Sequence, residues 1–94
     1  MAIYITLVNL SDDGKEAIKK DPARIQANNK ALEAMGVKVL GQYATLGRYD
    51  FVNIFEAKDD AALFKVAAHL SGKGIAKTET LTAKTIADFI AAIK

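Results

Sequence analysis

Two groups of polar side chains in this sequence have the types that acid–base chemistry uses. The segment Gly47-Arg48-Tyr49-Asp50 sets a cation, a phenol and a carboxylate side by side, and His69 is the one histidine of the chain. A carboxylate that orients an imidazole makes it a general base, and a nearby arginine can hold an anionic substrate. One hypothesis is therefore a catalytic pair of Asp50 and His69, with Arg48 as the substrate-binding group.

Each of these residues also has a structural interpretation. A turn aspartate commonly accepts hydrogen bonds from nearby backbone N–H groups, so Asp50 can be a capping residue of the hairpin or of the first helical region. His69 and Lys73 fall near the end of a predicted helix, where the helix dipole favours a cation, and His69 can be a solvated cap. Arg48 is typical of an exposed hairpin tip, and Tyr49 of a ring packed beside a turn.

A ligand cavity is the second hypothesis. Tyr43 lies on a predicted strand, and Phe51, Asn53 and Thr6 lie on neighbouring strands, so together they can line a hollow between two paired sheets. Such a lining would suit a small, partly aromatic ligand. The alternative is that these side chains fill a subunit interface, because protein interiors are close-packed. The candidate ligand-binding residues are Tyr43, Arg48, Tyr49, Asp50 and Asn53.

The elements that must position these residues follow from hydrophobic period, caps and turns. Asp21-Pro22 begins a helix and Gly36 ends it, while Gly47-Arg48 is the turn of a hairpin. In chain order we expect a strand over 3–8, a loose helical turn within 14–20, a helix over 22–35, strands over 37–46 and 49–57, a helix over 60–71 with Phe64 on its apolar face, a strand over 75–81 and a final helix from 86.

This order, βαββαβ plus one helix, predicts an α+β fold with a ferredoxin-like antiparallel sheet of strand order 4-1-3-2. The two central strands are apolar on both faces, as that order requires. The two edge strands carry polar residues, as edges in water should. The edge residues are Lys38, Gln42, Lys77, Thr78, Glu79 and Thr80.

The crossover helices can cover only one face of this sheet. We expect Val52, Ile54 and Asp50 to point toward the helices, and Tyr4, Val8, Phe51 and Phe55 to form the other face. An apolar patch of that size is not left bare by a monomer. The hypothesis is that a second copy of the chain covers it; the alternative is that the chain's own C-terminal helix folds back over it.

Composition excludes several classes of function. The formal charge is +2, with 13 basic and 11 acidic residues dispersed along the chain, so no basic stripe for nucleic acid is formed. With no cysteine and one histidine, we expect no metal site and no cofactor. The first apolar run lacks a cationic flank and is too short for a signal peptide or membrane span. The expectation is one domain over 1–94, in the cytoplasm.

Several segments together resemble the GYD domain family. They are Tyr4-Ile5-Thr6-Leu7, Gly47-Arg48-Tyr49-Asp50 with Phe51-Val52, Glu56-Ala57, Asp59-Asp60-Ala61-Ala62 and Thr78-Glu79-Thr80-Leu81. The resemblance covers nearly the whole chain. It implies a small prokaryotic protein of the dimeric α/β-barrel superfamily, whose ferredoxin-like subunits pair through their sheets. Asn28-Asn29 departs from the small apolar residues that the first helix of the family usually carries.

The superfamily contains cofactor-free monooxygenases, isomerases, haem proteins and ligand-sensing domains, so the fold does not select a function. From this resemblance we expect a homo-oligomer that binds a small molecule or serves as a structural or sensory assembly module. The alternative is a cofactor-independent monooxygenase or isomerase that uses His69, Asp50 and tyrosines.

Overall fold

A computed structural model of the chain describes residues 1–72 and 74–94. The order of strands and helices is the one that the sequence predicts. The elements are β1 (Ala2–Leu10), α1 (Asp12–Lys20), α2 (Arg24–Ala34), β2 (Lys38–Ala44), β3 (Phe51–Ala57), α3 (Asp60–Ser71), β4 (Ala76–Ala83) and α4 (Ile86–Ile93).

The four strands form one sheet in the order β2-β3-β1-β4, with every neighbouring pair antiparallel. This is the predicted order 4-1-3-2 read from the other edge, so the ferredoxin-like prediction is confirmed. The edge strand β2 contains a bulge, because its register with β3 shifts between Val39 and Gly41. No helix in the described part of the chain is long and apolar enough to cross a membrane.

The helix limits follow from caps and from one close approach. Ser11 accepts a hydrogen bond from the Gly14 N–H (3.0 Å), which begins α1 as a nine-residue helix instead of the predicted loose turn. Gly14 is buried, and a Cβ there would clash with the Ile75 carbonyl oxygen, so glycine lets α1 lie against the start of β4. Helix α2 ends as predicted, since Gly36 has a φ of 85° that glycine adopts without strain.

The connection between β2 and β3 is longer than the predicted two-residue hairpin. The strands end at Ala44 and resume at Phe51, which leaves residues 45–50 in the turn. The backbone N–H of Asp50 donates to the Val8 carbonyl of β1 (2.9 Å), while the Asp50 carbonyl accepts from the Thr45 N–H (2.9 Å). Asp50 therefore ties the turn to β1, and regular pairing of β2 with β3 begins only beyond it.

The face of the sheet that the helices cover is the opposite of the predicted one. Tyr4, Val8 and Phe55 are at most 4% exposed, and Tyr4 and Phe55 share one buried cluster with Leu32 of α2. The prediction that Tyr4, Val8, Phe51 and Phe55 form the open face is wrong. Because β1 and β3 are apolar on both sides, the alternation of their residues does not show which side meets the helices. A shift of one residue in the assignment of a strand places every side chain on the opposite face of the sheet.

The core lies between this covered face and the helices α2 and α3. Leu32, Leu63 and Val66 are the buried residues of these helices, whereas Phe64, which we expected on the apolar face of α3, is 76% exposed and lies outside the core. The cluster of buried residues consists of Tyr4, Leu32, Val37, Phe55, Ala57, Leu63 and Val66. Phe55, the largest of the fully buried side chains, is 0% exposed.

The opposite side of the sheet, here called the open face, is apolar in its middle. Residues directly paired across antiparallel strands share a face, so the register groups Ile3, Ile5 and Leu7 with the residues opposite them on β3 and β4. No described element of this chain covers that face. The apolar residues of the open face are Ile3, Ile5, Leu7, Val52, Ile54, Tyr43 and Leu81.

The C-terminal helix α4 does not fold back over the open face. All of its residues from Ile86 to Ile93 are exposed, and its four large apolar side chains are 45–73% exposed: Ile86, Phe89, Ile90 and Ile93. The longest dimension of the molecule is 49 Å against 19 Å for the shortest. The alternative that the C-terminal helix covers the sheet of its own chain therefore fails, and among the described residues two apolar surfaces have no covering element.

Tyr4 should make stability fall at alkaline pH. Its hydroxyl donates to Asp60 Oδ1 (2.6 Å), and this bond, burial and the charges of Asp60 and Asp59 raise the pKa of Tyr4 from 10.0 to about 12. Between pH about 10 and 12 the unfolded chain loses this proton while the folded chain keeps it, so the free energy of unfolding decreases as pH rises through that window. Below it the contribution is complete.

Urea unfolding at a series of pH values, compared between the wild type and Tyr4→Phe, measures this effect. The variant should be less stable at neutral pH and should lose less stability across the alkaline window. Parallel pH profiles for the two proteins would contradict the assignment.

Candidate functional site

A cavity of about 610 Å³ lies between the covered face of the sheet and the helices α1 and α2. The sheet contributes Val8 and Phe55 to its wall, and the helices contribute Ile18, Ile25 and Leu32. Its volume is in the range of roughly 300–1,000 Å³ that small-molecule sites occupy. The cavity is therefore inside one subunit, not between two sheets as the sequence hypothesis placed it.

A row of polar side chains crosses the covered face at the level of this cavity. Gln42 of β2 is paired with Asn53 of β3, Asn53 with Thr6 of β1, and Thr6 with Thr80 of β4. The two threonines satisfy each other, since their hydroxyl oxygens are 3.0 Å apart. Each strand thus contributes one polar residue to this row.

Asn53 is the member of this row with an unsatisfied atom. It is 5% exposed, and no group of the described residues donates a hydrogen bond to its Oδ1. A buried acceptor without a partner typically costs about 1–3 kcal/mol, and such groups are few in native proteins. Asn53 lines the cavity, although its Oδ1 is itself a buried atom.

Amide and imidazole side chains form a rim at the cavity where its walls meet. His69 Nε2 lies 3.0 Å from Asn28 Oδ1, which joins α3 to α2. Asn29 and Gln42 exchange two hydrogen bonds of 2.8 and 3.2 Å, which join α2 to β2. All four rim residues line the cavity. The helix wall is thus held to the sheet and to α3 by polar side-chain pairs.

His69 and Asp50, the candidate catalytic pair, have different partners. The Asp50 carboxylate accepts from the Leu10 backbone N–H (2.8 Å) at the end of β1, as the capping interpretation expects. His69 has an amide as its partner, and it lines the cavity, which Asp50 does not. Lys73 lies outside the described residues.

Arg48 and Tyr49 lie beside the end of β1 and the start of β4. The Tyr49 hydroxyl donates to Glu79 Oε2 (3.0 Å), and the Arg48 guanidinium carbon is 5.7 Å from the centre of the Tyr49 ring. Together with Lys77 they line a small depression of about 200 Å³. The hydrogen bond to Glu79 joins the loop to β4, while the guanidinium over the aromatic ring is a contact within the loop.

Tyr43, the remaining predicted ligand residue, lies on the open face. It is paired with Val52 and is 60% exposed. Its ring lies beside Gly41, where a Cβ would be 3.3 Å from Tyr43 Cε2. Of the five predicted ligand-binding residues, the structure therefore places Asn53 alone in the lining of the large cavity, which His69 also lines.

Sequence reasoning did not assign Asn28, Asn29 or Gln42 to a site. Gln42 was interpreted as an ordinary edge residue, and Asn28-Asn29 as a departure from the family pattern. The signal in the sequence was the position of the two asparagines beside Ile25 and Leu32, which are helix residues that face the sheet. Two adjacent amides next to an inward-facing stripe indicate a polar lining.

The comparisons with known proteins agree with this architecture. A protein of Thermus thermophilus, named glutamine synthetase and cystathionine beta-lyase binding protein, is 47% identical over 95 aligned positions that cover 100% of both chains. A crystal structure of a protein from Thermus thermophilus has a TM-score of 0.51 at 23% identity, covering 90% of this chain and 95% of that one. This second likeness shows the fold alone.

A crystal structure of a dimeric ferredoxin-like protein from an uncultured marine organism covers 92% of this chain and 95% of its own, with 11% identity and a TM-score of 0.45, which is too low to support an argument. The family model of the GYD domain matches residues 4–93. The match spans both central strands, all four helices and the Gly47–Asp50 turn, so this chain belongs to the GYD domain family.

Proposed function

We propose that this chain is a binding protein that acts by associating with a metabolic enzyme. Glutamine synthetase is the first candidate partner and cystathionine beta-lyase the second. The observation that carries the proposal is the 47% identity, over the full length of both chains, with a relative named for binding these two enzymes. The proposal locates the protein in the cytoplasm, together with such an enzyme.

The geometry of the polar residues supports binding in preference to catalysis. A general base of the predicted kind needs a carboxylate against the imidazole, whereas the His69 ring contacts the Asn28 amide and the Asp50 carboxylate accepts a backbone N–H. Both polar groups thus have roles in holding elements together. The monooxygenase or isomerase alternative thus receives no support from contact between the Asp50 carboxylate and the His69 imidazole.

Self-association is part of the proposal. The open face offers a sheet surface of aliphatic residues, and α4 offers four more large apolar side chains, so a second copy of the chain is the occupant that we assign to the open face. The central residues Ile5 and Ile54 are paired with each other and are only half-buried within one protomer. Burying such side chains fully would stabilise a dimer by the hydrophobic effect.

Binding to the enzyme can be measured with purified glutamine synthetase from the same organism. We expect the two proteins to elute together in size-exclusion chromatography at micromolar concentration, and biosensor titration to give a dissociation constant of about 1 μM or tighter, as a specific complex requires. An unrelated oligomeric enzyme of similar mass is the control. The proposal would be contradicted if the control enzyme bound this protein as strongly as glutamine synthetase does. It would also be contradicted if neither glutamine synthetase nor cystathionine beta-lyase formed a complex with it.

Small-molecule binding is a second candidate function, which the cavity beside Asn53 favours. The two functions are compatible, because a ligand bound under the helix layer would alter the surface that α1 and α2 present.

A further inference from the structure

We infer that α4 of each protomer packs its large apolar side chains against the open face of a second copy, whose own α4 packs on the open face of the first. The inference rests on the self-association proposed for the open face, and it adds which segment of the second copy occupies that face. Three features of the described residues support it: the one-sided pattern of α4, its short link to β4, and the fit between the two uncovered apolar surfaces.

Helix α4 carries its large apolar side chains on one side. They recur at the i, i+3, i+4 and i+7 positions, which share one face of a helix of about 3.6 residues per turn, whereas Asp88 and Ala91 lie on the opposite side. Within one protomer these four side chains are 45–73% exposed. Since an apolar stripe of this kind is typical of a helix that packs on another element, α4 lacks its partner surface here. The stripe, here called the α4 stripe, consists of Ile86, Phe89, Ile90 and Ile93.

The link between β4 and α4 is short and ends in a cap. Only Lys84 and Thr85 separate the two elements. Thr85 Oγ1 accepts a hydrogen bond from the Asp88 N–H (3.1 Å), which fixes the first turn of the helix directly after the strand. With this link, every residue of α4 is exposed, and none of the stripe is buried on the sheet of its own chain. The surface that buries the α4 stripe therefore belongs to another molecule.

The open face has the size and the chemistry to accommodate α4. A helix of eight residues is about 12 Å long, and four strands about 4.8 Å apart form a sheet roughly 15 Å wide. The middle of the face is formed by Ile5 and Ile54, with Leu81, which is 44% exposed, beside Ile5. Helices α2 and α3 already cover the other side of the same sheet, so a helix on the open face would complete a second layer of the same kind.

Exchange of α4 removes both uncovered surfaces from water in one contact. Contact between two open faces alone would leave both α4 stripes exposed, and contact between two α4 helices alone would leave both sheets exposed. The four side chains of the stripe supply on the order of 500 Å² of apolar surface, which is more than half of the roughly 800 Å² that each partner contributes to a stable complex. A second copy carries both surfaces, so a two-fold arrangement buries each of them twice.

Nuclear Overhauser effects between differently labelled chains test this contact. Chains labelled with ¹³C and unlabelled chains are refolded together from urea in equal amounts, so that an isotope-filtered NOESY spectrum reports only contacts between chains. We expect interchain effects between the ring of Phe89 and the methyl groups of Ile5 and Ile54. A sample that contains labelled chains alone is the control, and its filtered spectrum should be empty.

Two variants at adjacent positions of α4 provide an independent measurement. Ile90→Glu places a carboxylate in the α4 stripe, whereas Ala91→Glu places the same group on the opposite side of the same helix. We expect Ile90→Glu to raise the dissociation constant of self-association at least about tenfold, because it replaces a buried apolar side chain at the contact. Ala91→Glu should leave the constant within about twofold of the wild type. Sedimentation equilibrium gives both constants, and circular dichroism shows that both variants are folded.

The outcomes separate this inference from the self-association on which it rests. A dimer with equal constants for the two variants, or with interchain effects only among Ile5 and Ile54 of two open faces, would overturn the role of α4 and leave self-association intact. A monomeric wild type would overturn both. If that monomer also lost affinity for glutamine synthetase in Ile90→Glu but not in Ala91→Glu, the α4 stripe would be assigned to the enzyme instead of a second copy.

Discussion

Ile54→Glu is expected to turn a self-associating protein into a monomer. Ile54 lies in the middle of the open face, opposite Ile5 on β1. A second copy seated there would bury the new carboxylate without a cation to pair it, and in a two-fold arrangement the change would occur twice. An unpaired buried charge costs several kcal/mol, so the dissociation constant should rise by about 100-fold or more. Light scattering after size-exclusion chromatography, at micromolar concentration, measures the mass directly.

Phe64→Glu is the matched control, because Phe64 is an apolar residue that is 76% exposed on α3, at the other side of the molecule. It should leave the mass unchanged. A monomeric wild type would refute the assigned occupant of the open face, and so would a dimer that persists in Ile54→Glu.

Asp50→Ala is expected to lower the free energy of unfolding by about 1.5–3 kcal/mol, the usual contribution of a hydrogen bond to a charged group. The variant would leave the Leu10 N–H without its acceptor, while the backbone hydrogen bonds of residue 50 to Val8 and Thr45 would remain. Urea denaturation gives this value from the midpoint, provided that the slope is unchanged.

Asp50→Asn tests the role of the charge at the same position. It keeps an acceptor oxygen for Leu10 and should therefore lose less stability than the alanine variant. Tyr49→Phe removes only the exposed hydrogen bond to Glu79 and should lose less still. If all three variants unfold at the same urea concentration as the wild type, the capping role of Asp50 is refuted. The Gly47–Asp50 segment is thus interpreted as a structural joint between three strands.

The strand order was accessible from the sequence because local signals and long-range pattern agreed. Glycine at position 36, the turn at Gly47 and the polar edge strands each restricted the topology, and each is retained in the structure. The sequence did not show which face of the sheet packs against the helices. Strands β1 and β3 alternate between two apolar faces, so Tyr4 and Ile5 were equally suited to face the helices.

The site was predictable in its parts but not in its arrangement. Asn53 and His69 were both identified as candidates, yet they were assigned to different sites because the sheet orientation was inverted. The polar row of Gln42, Asn53, Thr6 and Thr80 exists only once the register is known, since its members come from four separate strands. Asn28 differs from the small apolar residues expected at its place in the helix. Its hydrogen-bond partner His69 is 41 residues away in the chain, so local sequence pattern could not pair the two.

The bulge in β2 has a consequence for the size of any assembly. A regular edge strand offers a row of free N–H and C=O groups on which further chains can add without limit. The register shift between Val39 and Gly41 interrupts that row on the β2 edge. On the β4 edge, the exposed charged side chains of Lys77 and Glu79 disfavour the addition of another strand. Both edges of the sheet therefore disfavour growth into fibrils. The open face is then the surface of the sheet through which copies of the chain can associate. Two-fold contact of that kind closes on itself, so the particle should stop at a finite number of copies.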